Sequence, residues 1–271
     1  MAGALHPDWI VPDWPVPSHV HAVCTTRAGG VSLPPWDSLN LGDHVQDDLA
    51  AVAANRAILH QAIGARPVFL RQVHGLVVQH LEAATLDGTE ADACVTSEPG
   101  VACAIMVADC LPVLLSDRQG TVVGAAHAGW RGLAGDQGFG VLEALFQAFE
   151  AQVFARRGGG ESAVAADTLA WLGPCIGPQA FEVGSEVREA FCAPDPGAAQ
   201  HFRPGLKGKF LADLPALARR RLRRLGVEAI YGNDSSAPWC TVSNTSRFFS
   251  YRRDQLVLGG SGRLAACVWL G

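Results

Sequence analysis

Four apolar runs, at residues 93–96, 101–107, 112–116 and 121–126, follow one another so closely that no helix fits between them. Parallel neighbours need a crossover of about a dozen residues or more. These runs therefore form a mixed sheet, or parts of two sheets, rather than a strict βαβ array. Further strand candidates lie at 19–25, 68–73, 168–172, 229–231 and 263–269. Helical periodicity covers 47–63, 138–155, 185–191 and 214–225. Ser185 is placed to cap the third helix, with Glu186 in its first turn; Asp213 is placed to cap the fourth, with Pro215 near its start. The expected class is α/β (α+β), with mixed sheets covered by helices.

Composition excludes several classes. Hydrophobic residues make up 49% and charged residues 17%, enough apolar surface for a filled core and too little charge for disorder. A net charge of −5 gives no general polyanion-binding surface, so no nucleic-acid partner is expected. Arg219, Arg220, Arg221, Arg223 and Arg224 form one basic run, but leucines at 214, 217, 222 and 225 make it the solvated side of an amphipathic helix. The first residues are broken by Asp8, Asp13 and four prolines, so neither a secretory signal nor a membrane span is expected. A cytoplasmic protein follows, its eight cysteines (24, 94, 103, 110, 175, 192, 240 and 267) mostly reduced. No CxxC pair occurs, so most should act as small buried hydrophobes. Residues 156–162, RRGGGES, and 192–205 read as loops, and neither divides the chain clearly.

Three apolar runs each lead to a metal-capable side chain. Residues 68–73 lead to His74, residues 101–107 to Asp109 and Cys110, and residues 121–126 to His127 in AAHAGWRG. If these ends meet at one rim, two imidazoles and one thiolate form a three-ligand set with a fourth position for water or substrate. That set suits zinc, and the thiolate suits copper as well. The spacing alone is a weak signal. Each residue has a bland alternative: His74 and His127 as satisfied polar groups, Cys110 as a buried hydrophobe. His19 and His21 form an HxH pair that strand alternation explains.

The stretches HAVCTTRAGGVS, SLNLGDHV, RQVHG, ADACVT, ADCLPVLL, AAHAGWRGLAG, GPCIGPQAFEVG and FFSYRRD, in that order, resemble the YfiH-like family. That family was long labelled multicopper polyphenol oxidase, or laccase-domain, and is now described as purine nucleoside phosphorylases. The resemblance runs from about His21 to Leu270. It implies a single layered domain, 1–271, with His74, Cys110 and His127 as metal ligands. Zinc is the usual family metal, with copper in some members. The implied reactions are phosphorolysis of adenosine, inosine and S-methyl-5′-thioadenosine, and deamination of adenosine. Purine nucleosides and phosphate would be the partners of a monomer or weak homodimer. Two loops depart from the family pattern: 135–139 looks like an insertion, and 255–260 looks longer than a short glycine turn.

Deamination needs a carboxylate to shuttle protons, and Asp109, then Asp92, are the candidates; each also fits a plain turn hydrogen bond. Phosphorolysis needs arginines that hold phosphate bidentately. Arg27 in its glycine-rich turn comes first, followed by Arg131, Arg252 and Arg253. Asn40 in SLNLG either binds ribose hydroxyls or caps a turn. Cys175 in LGPCIGP is a buried thiol, or part of a turn that lends N–H groups to an anion. Two rival activities share the candidate residues. One is a copper-dependent polyphenol oxidase, which needs several histidine clusters. The other is a Cys–His hydrolase editing peptidoglycan precursors, with Cys110 as nucleophile and His127 as base.

Overall fold

The computed structural model describes residues 3–157 and 164–271. Its elements, in chain order, are β1 (Val20–Cys24), α1 (Leu49–Ile63), β2 (Arg66–Phe69), β3 (Val78–His80), β4 (Ala93–Thr96), β5 (Val101–Val107), β6 (Leu111–Asp117) and β7 (Val123–Ala128). Then come α2 (Trp130–Ala134), α3 (Val141–Arg157), β8 (Thr168–Leu172), β9 (Glu182–Val183), α4 (Ser185–Cys192), β10 (Phe202–Pro204), β11 (Phe210–Ala212), α5 (Leu214–Arg224), β12 (Ala229–Gly232), α6 (Tyr251–Leu258) and β13 (Leu264–Leu270). Among the described residues no helix is long and apolar enough to cross a membrane. Of the RRGGGES loop, residues 158–162 lie outside the described residues.

The closely spaced strands divide between two mixed sheets. A four-stranded sheet runs β1-β13-β5-β2, and a six-stranded sheet runs β12-β8-β6-β7-β4-β3. Side-chain alternation shows how they stack. Val101, Cys103, Ile105 and Val107 of β5 meet Leu114, Val123, Ala125 and Trp171 of the larger sheet in a shared inner core. Ala102, Ala104 and Met106 of β5 face the other way, with Leu59 and Ile63 of α1. Val113 and Leu115 of β6 face α3 and α5 through Leu145, Phe149, Leu217 and Leu222. The result is helix, sheet, sheet, helix, with strands buried on both faces and therefore continuously apolar. A small sheet, β10-β11-β9, flanks this stack.

Local chemistry sets the helix ends. Asp48 caps α1 by accepting from the Ala50 N–H at 3.0 Å, and Gly64, at φ 68°, closes it. Asp213 caps α5 through the Ala216 N–H at 3.0 Å, as its sequence position suggests. Ser185 does not cap α4: Gly184 holds that position without a side-chain bond. Arg221 departs from the solvated face expected of the arginine run. It is buried and donates to the carbonyls of Leu133, Ala134 and Gly138, closing the C-terminal end of α2. The small residues of β7 also have a packing reason. A Cβ on Gly124 would lie 3.1 Å from Leu145 Cδ1 of α3 and 3.2 Å from the Cys94 carbonyl oxygen.

Candidate active site

Asp92, immediately before β4, organises one rim of the larger sheet. Its carboxylate is fully buried. Oδ2 accepts the N–H groups of Val73 at 3.1 Å and Gly75 at 2.6 Å, and Oδ1 accepts that of His74 at 2.8 Å. Oδ1 also meets Nδ1 of His127 at 2.9 Å. One side chain thus folds the loop after β2 and fixes the ring of a residue in β7. The loop is pinned a second time by Gln72, whose amide donates to the Met106 carbonyl at 2.7 Å and accepts its N–H at 2.8 Å. His74 follows in a left-handed conformation, φ 63°, which the three N–H bonds to Asp92 hold in place.

Cys110 comes from the turn between β5 and β6. Its Sγ lies 3.6 Å from His74 Nε2, and the donor atoms of His74, Cys110 and His127 all lie within 4.8 Å of one another. The three residues proposed from separated strand ends therefore converge. At zinc bond lengths, a tetrahedral edge between sulfur and nitrogen is about 3.5 Å, so the Cys110–His74 edge has the spacing of two zinc ligands. Asp92 stands behind His127 as carboxylates stand behind metal-ligating histidines, orienting the ring through Nδ1 and leaving Nε2 free to face an ion. Gly129 completes the cradle: a Cβ there would lie 2.8 Å from His74 Cδ2 and 2.9 Å from Cys110 Sγ.

Electrostatics follow from this crowding. Burial raises the Cys110 thiol, but the His127 charge and hydrogen bonds from both imidazoles outweigh it and bring the pKa to about 6. Burial lowers His127, but Cys110 and Asp92 outweigh it and raise the pKa to about 9. Burial also raises Asp92, and the His127 and backbone hydrogen bonds more than offset that, so its pKa is lowered. The cluster favours the thiolate, which is the form that binds a metal.

These side chains border a cavity of about 460 Å³. Trp130, Ile176, Phe181 and Leu214 line it, as do Arg131, Arg252, Arg263, Tyr251 and His44. Arg131 lies over the Trp130 ring at 4.5 Å, and Arg252 lies 5.8 Å from the Phe181 ring centre. Asp109 also faces the cavity, and its two oxygens accept from the Thr241 hydroxyl and the Arg252 N–H at 2.6 Å each. Its left-handed backbone, φ 90°, turns the chain into Cys110.

The structure places three other candidates apart from that cavity. Arg27 lines a separate open pocket and donates to the Asp37 carboxylate at 2.9 Å and the Thr245 carbonyl at 2.8 Å. Arg253 donates to Asp254 at 2.6 Å and 2.8 Å and to the carbonyls of Thr241, Val242 and Phe248. Asn40 is buried, bonded to Gly42, Asp47 and the Arg263 N–H. The Cys175 turn has no N–H to lend. Those of Cys175, Ile176 and Gly177 go to Trp239 O, Asp109 O and Cys240 Sγ. Burial pushes the Cys175 thiol well up. Sequence reasoning did not single out Gln72, His44, Tyr251 or Arg263 as cavity residues. RQVHG and SLNLGDHV contain Gln72 and His44, but only long-range packing reveals what they face.

Residues 21–271 match the family described as multi-copper polyphenol oxidoreductase laccase. A Pseudomonas aeruginosa protein named purine nucleoside phosphorylase is 49% identical over 263 residues, covering 97% of this chain and 98% of that one. An Escherichia coli protein named purine nucleoside phosphorylase YfiH is 48% identical over 264 residues, covering 96% and 98%. A crystal structure of a Neisseria meningitidis protein has a TM-score of 0.85 at 46% identity, covering 97% of this chain and 99% of that one. The crystal structure of YlmD from Geobacillus stearothermophilus has a TM-score of 0.77 at 30% identity, covering 93% and 92%.

Proposed function

The chain belongs to the multi-copper polyphenol oxidoreductase laccase family, and from that premise we propose that it is a zinc-dependent purine nucleoside phosphorylase. Its substrates are adenosine, inosine and S-methyl-5′-thioadenosine, and it also deaminates adenosine. Relatives of nearly equal length that carry the phosphorylase name support the reading. The observation that carries it is the His74, Cys110 and His127 group beside a cavity with both apolar and cationic lining.

His74, Cys110 and His127 would hold the ion. When bound, zinc supplies Lewis-acid polarisation and activation of water. Asp92 keeps the His127 ring turned toward the site. Trp130, Ile176 and Phe181 offer the base an apolar surface that excludes water, and the arginines attract phosphate. In phosphorolysis a phosphate oxygen forms a bond to C1′ of the ribose as the C1′–N9 bond breaks. The electron pair leaves with the purine, which takes up a proton, giving ribose 1-phosphate and free base. In deamination, water adds at C6 of adenosine and ammonia leaves, giving inosine. Asp109 serves here as an anchor between the Cys110 turn, Thr241 and α6 through the hydrogen bond each of its oxygens accepts, and its remaining lone pairs leave it able to move a proton in deamination.

Multicopper oxidation is less well supported. It needs several histidine-rich centres, and among the described residues this is the one His, Cys and carboxylate group of metal-binding geometry. Incubation of the purified protein with inosine, followed by mass analysis of sugar and base, tests the proposal. Hypoxanthine and ribose 1-phosphate should form only when phosphate is supplied. Release of free ribose regardless of phosphate means hydrolysis and ends the reading.

A further inference from the structure

The cavity lining divides into two chemical types. Ile176, Phe181 and Leu214 belong to the large apolar core, and Trp130 packs on the same cluster. The remaining lining includes Arg252 and Arg263, whose surroundings differ from those of the arginines tied into ion pairs elsewhere. Arg27, Arg157, Arg220 and Arg253 each have a carboxylate at 2.6–3.0 Å. Among the described residues neither Arg252 nor Arg263 has one in hydrogen-bonding or ion-pair contact. Arg263 donates only through Nη1, to the carbonyls of Ser261 at 2.9 Å and Gly262 at 3.1 Å. Its Nε and Nη2 have no acceptor among the described residues. Arg252 uses only Nη1, toward the Glu182 carbonyl at 3.1 Å.

Arg263 is also held firmly. Asn40 Oδ1 accepts its N–H at 2.9 Å, and its carbonyl accepts the Leu41 N–H at 3.1 Å. Its stem lies against Gly42, where a Cβ would be 2.7 Å from Arg263 Cγ. The guanidinium is 5.9 Å from the centre of the Tyr251 ring. The start of α6 offers no competing anion seat, since the N–H of Arg252 goes to Asp109 and that of Arg253 to Ser250 Oγ.

We propose that Arg263 is the phosphate anchor of this site: its open Nε and Nη2 take two phosphate oxygens, Arg252 donates as a second cation, and the purine lies on the apolar lining. Asn40 then acts as a positioning residue, setting the backbone from which Arg263 projects. This inference rests on the phosphorylase reading and names the residue that seats its second substrate.

The test measures binding of inorganic phosphate by titration calorimetry to the protein with its metal, with and without hypoxanthine. Phosphate-dependent cleavage of inosine is assayed separately. Arg263→Gln should weaken phosphate binding about tenfold or more, as loss of charged hydrogen bonds predicts, and raise KM for phosphate similarly. KM for inosine should change much less. Arg263→Lys keeps the charge and stem but loses the fork. It should fall between the two and stands in if Arg263→Gln does not fold. Phosphate affinity unchanged in the variant that folds, or absent in the wild type, overturns the inference. So does a loss confined to a nucleoside monophosphate. Phosphate-independent release of hypoxanthine overturns the phosphorylase reading instead, whatever calorimetry shows.

Discussion

Two buried carboxylates, Asp92 and Asp117, sit near opposite ends of the β6–β7 hairpin and do the same thing to the backbone. Asp92 gathers the N–H groups of Val73, His74 and Gly75 beside the site. Asp117 gathers the N–H groups of Thr121 at 2.6 Å and Val122 at 2.9 Å, with the Thr121 hydroxyl at 3.0 Å. They differ in where the charge goes next. Asp117 meets Arg157 at 3.0 Å, and Arg157 also meets Asp167 at 2.9 Å, so the charge of Asp117 is met by a guanidinium within the fold. Asp92 meets His127, whose other ring nitrogen joins a thiolate and a second imidazole beside a cavity. A buried carboxylate that shapes a turn is therefore not itself a sign of function; the reach of its partner decides.

The comparison breaks first at His127. His127→Ala should leave the protein folded but remove bound metal, measured by elemental analysis. Cleavage of inosine should fall by more than about a hundredfold, the upper cost of losing an outer partner alone. Metal retained at full stoichiometry would mean that the three donors do not act as a unit. At the other end, Asp117→Asn should cost about 1–3 kcal/mol of stability in urea unfolding, because the N–H groups of Thr121 and Val122 lose a charged acceptor, while Arg157 keeps Asp167. Turnover per folded molecule should not change. A turnover defect there would erase the distinction between the two ends.

Much of the layered fold was legible because strands buried on both faces write themselves as apolar runs. The strands at 93–96, 101–107 and 168–172 have the bounds that their hydrophobic runs suggest. β7 starts later than its apolar run, at Val123, because Asp117 holds Thr121 and Val122 in the preceding turn. Two short helices escaped. α2 has no side-chain cap and is closed by Arg221 from a distant helix; α6 opens with Tyr251, Arg252, Arg253 and Asp254, which show no apolar period. The unexpected length of 255–260 is the end of α6, with Leu256, Val257 and Leu258 exposed. The candidate triad was visible as three residues at strand ends, and its convergence depended on Asp92 and Gln72, whose contacts are long-range. Arg27 and Arg253 looked like phosphate binders, yet each has an acidic partner. For Arg253 that partner is the next residue in sequence.

Asp92→Asn gives the finest separation of the two ends. It keeps the shape of the side chain but removes the charge facing His127, and should weaken metal binding or activity about 10–100-fold. In the metal-free protein the effect extends to titration. The imidazolium of His127, raised from 6.5 to about 9, contributes stability that is complete below 6.5 and lost as pH rises through 9. The thiolate of Cys110, lowered from 9.0 to about 6, contributes stability that is complete above 9.0 and lost as pH falls through 6. The pair is therefore charged together between about 6 and 9. Without the Asp92 charge, His127 should lose its proton at lower pH, and Cys110, less supported, should ionise at higher pH. The alkylation rate of Cys110 against pH, read by mass spectrometry, should shift its midpoint upward by about one unit, or about tenfold in rate on the acid limb. An unmoved midpoint would show that Asp92 only shapes its turn, as Asp117 does.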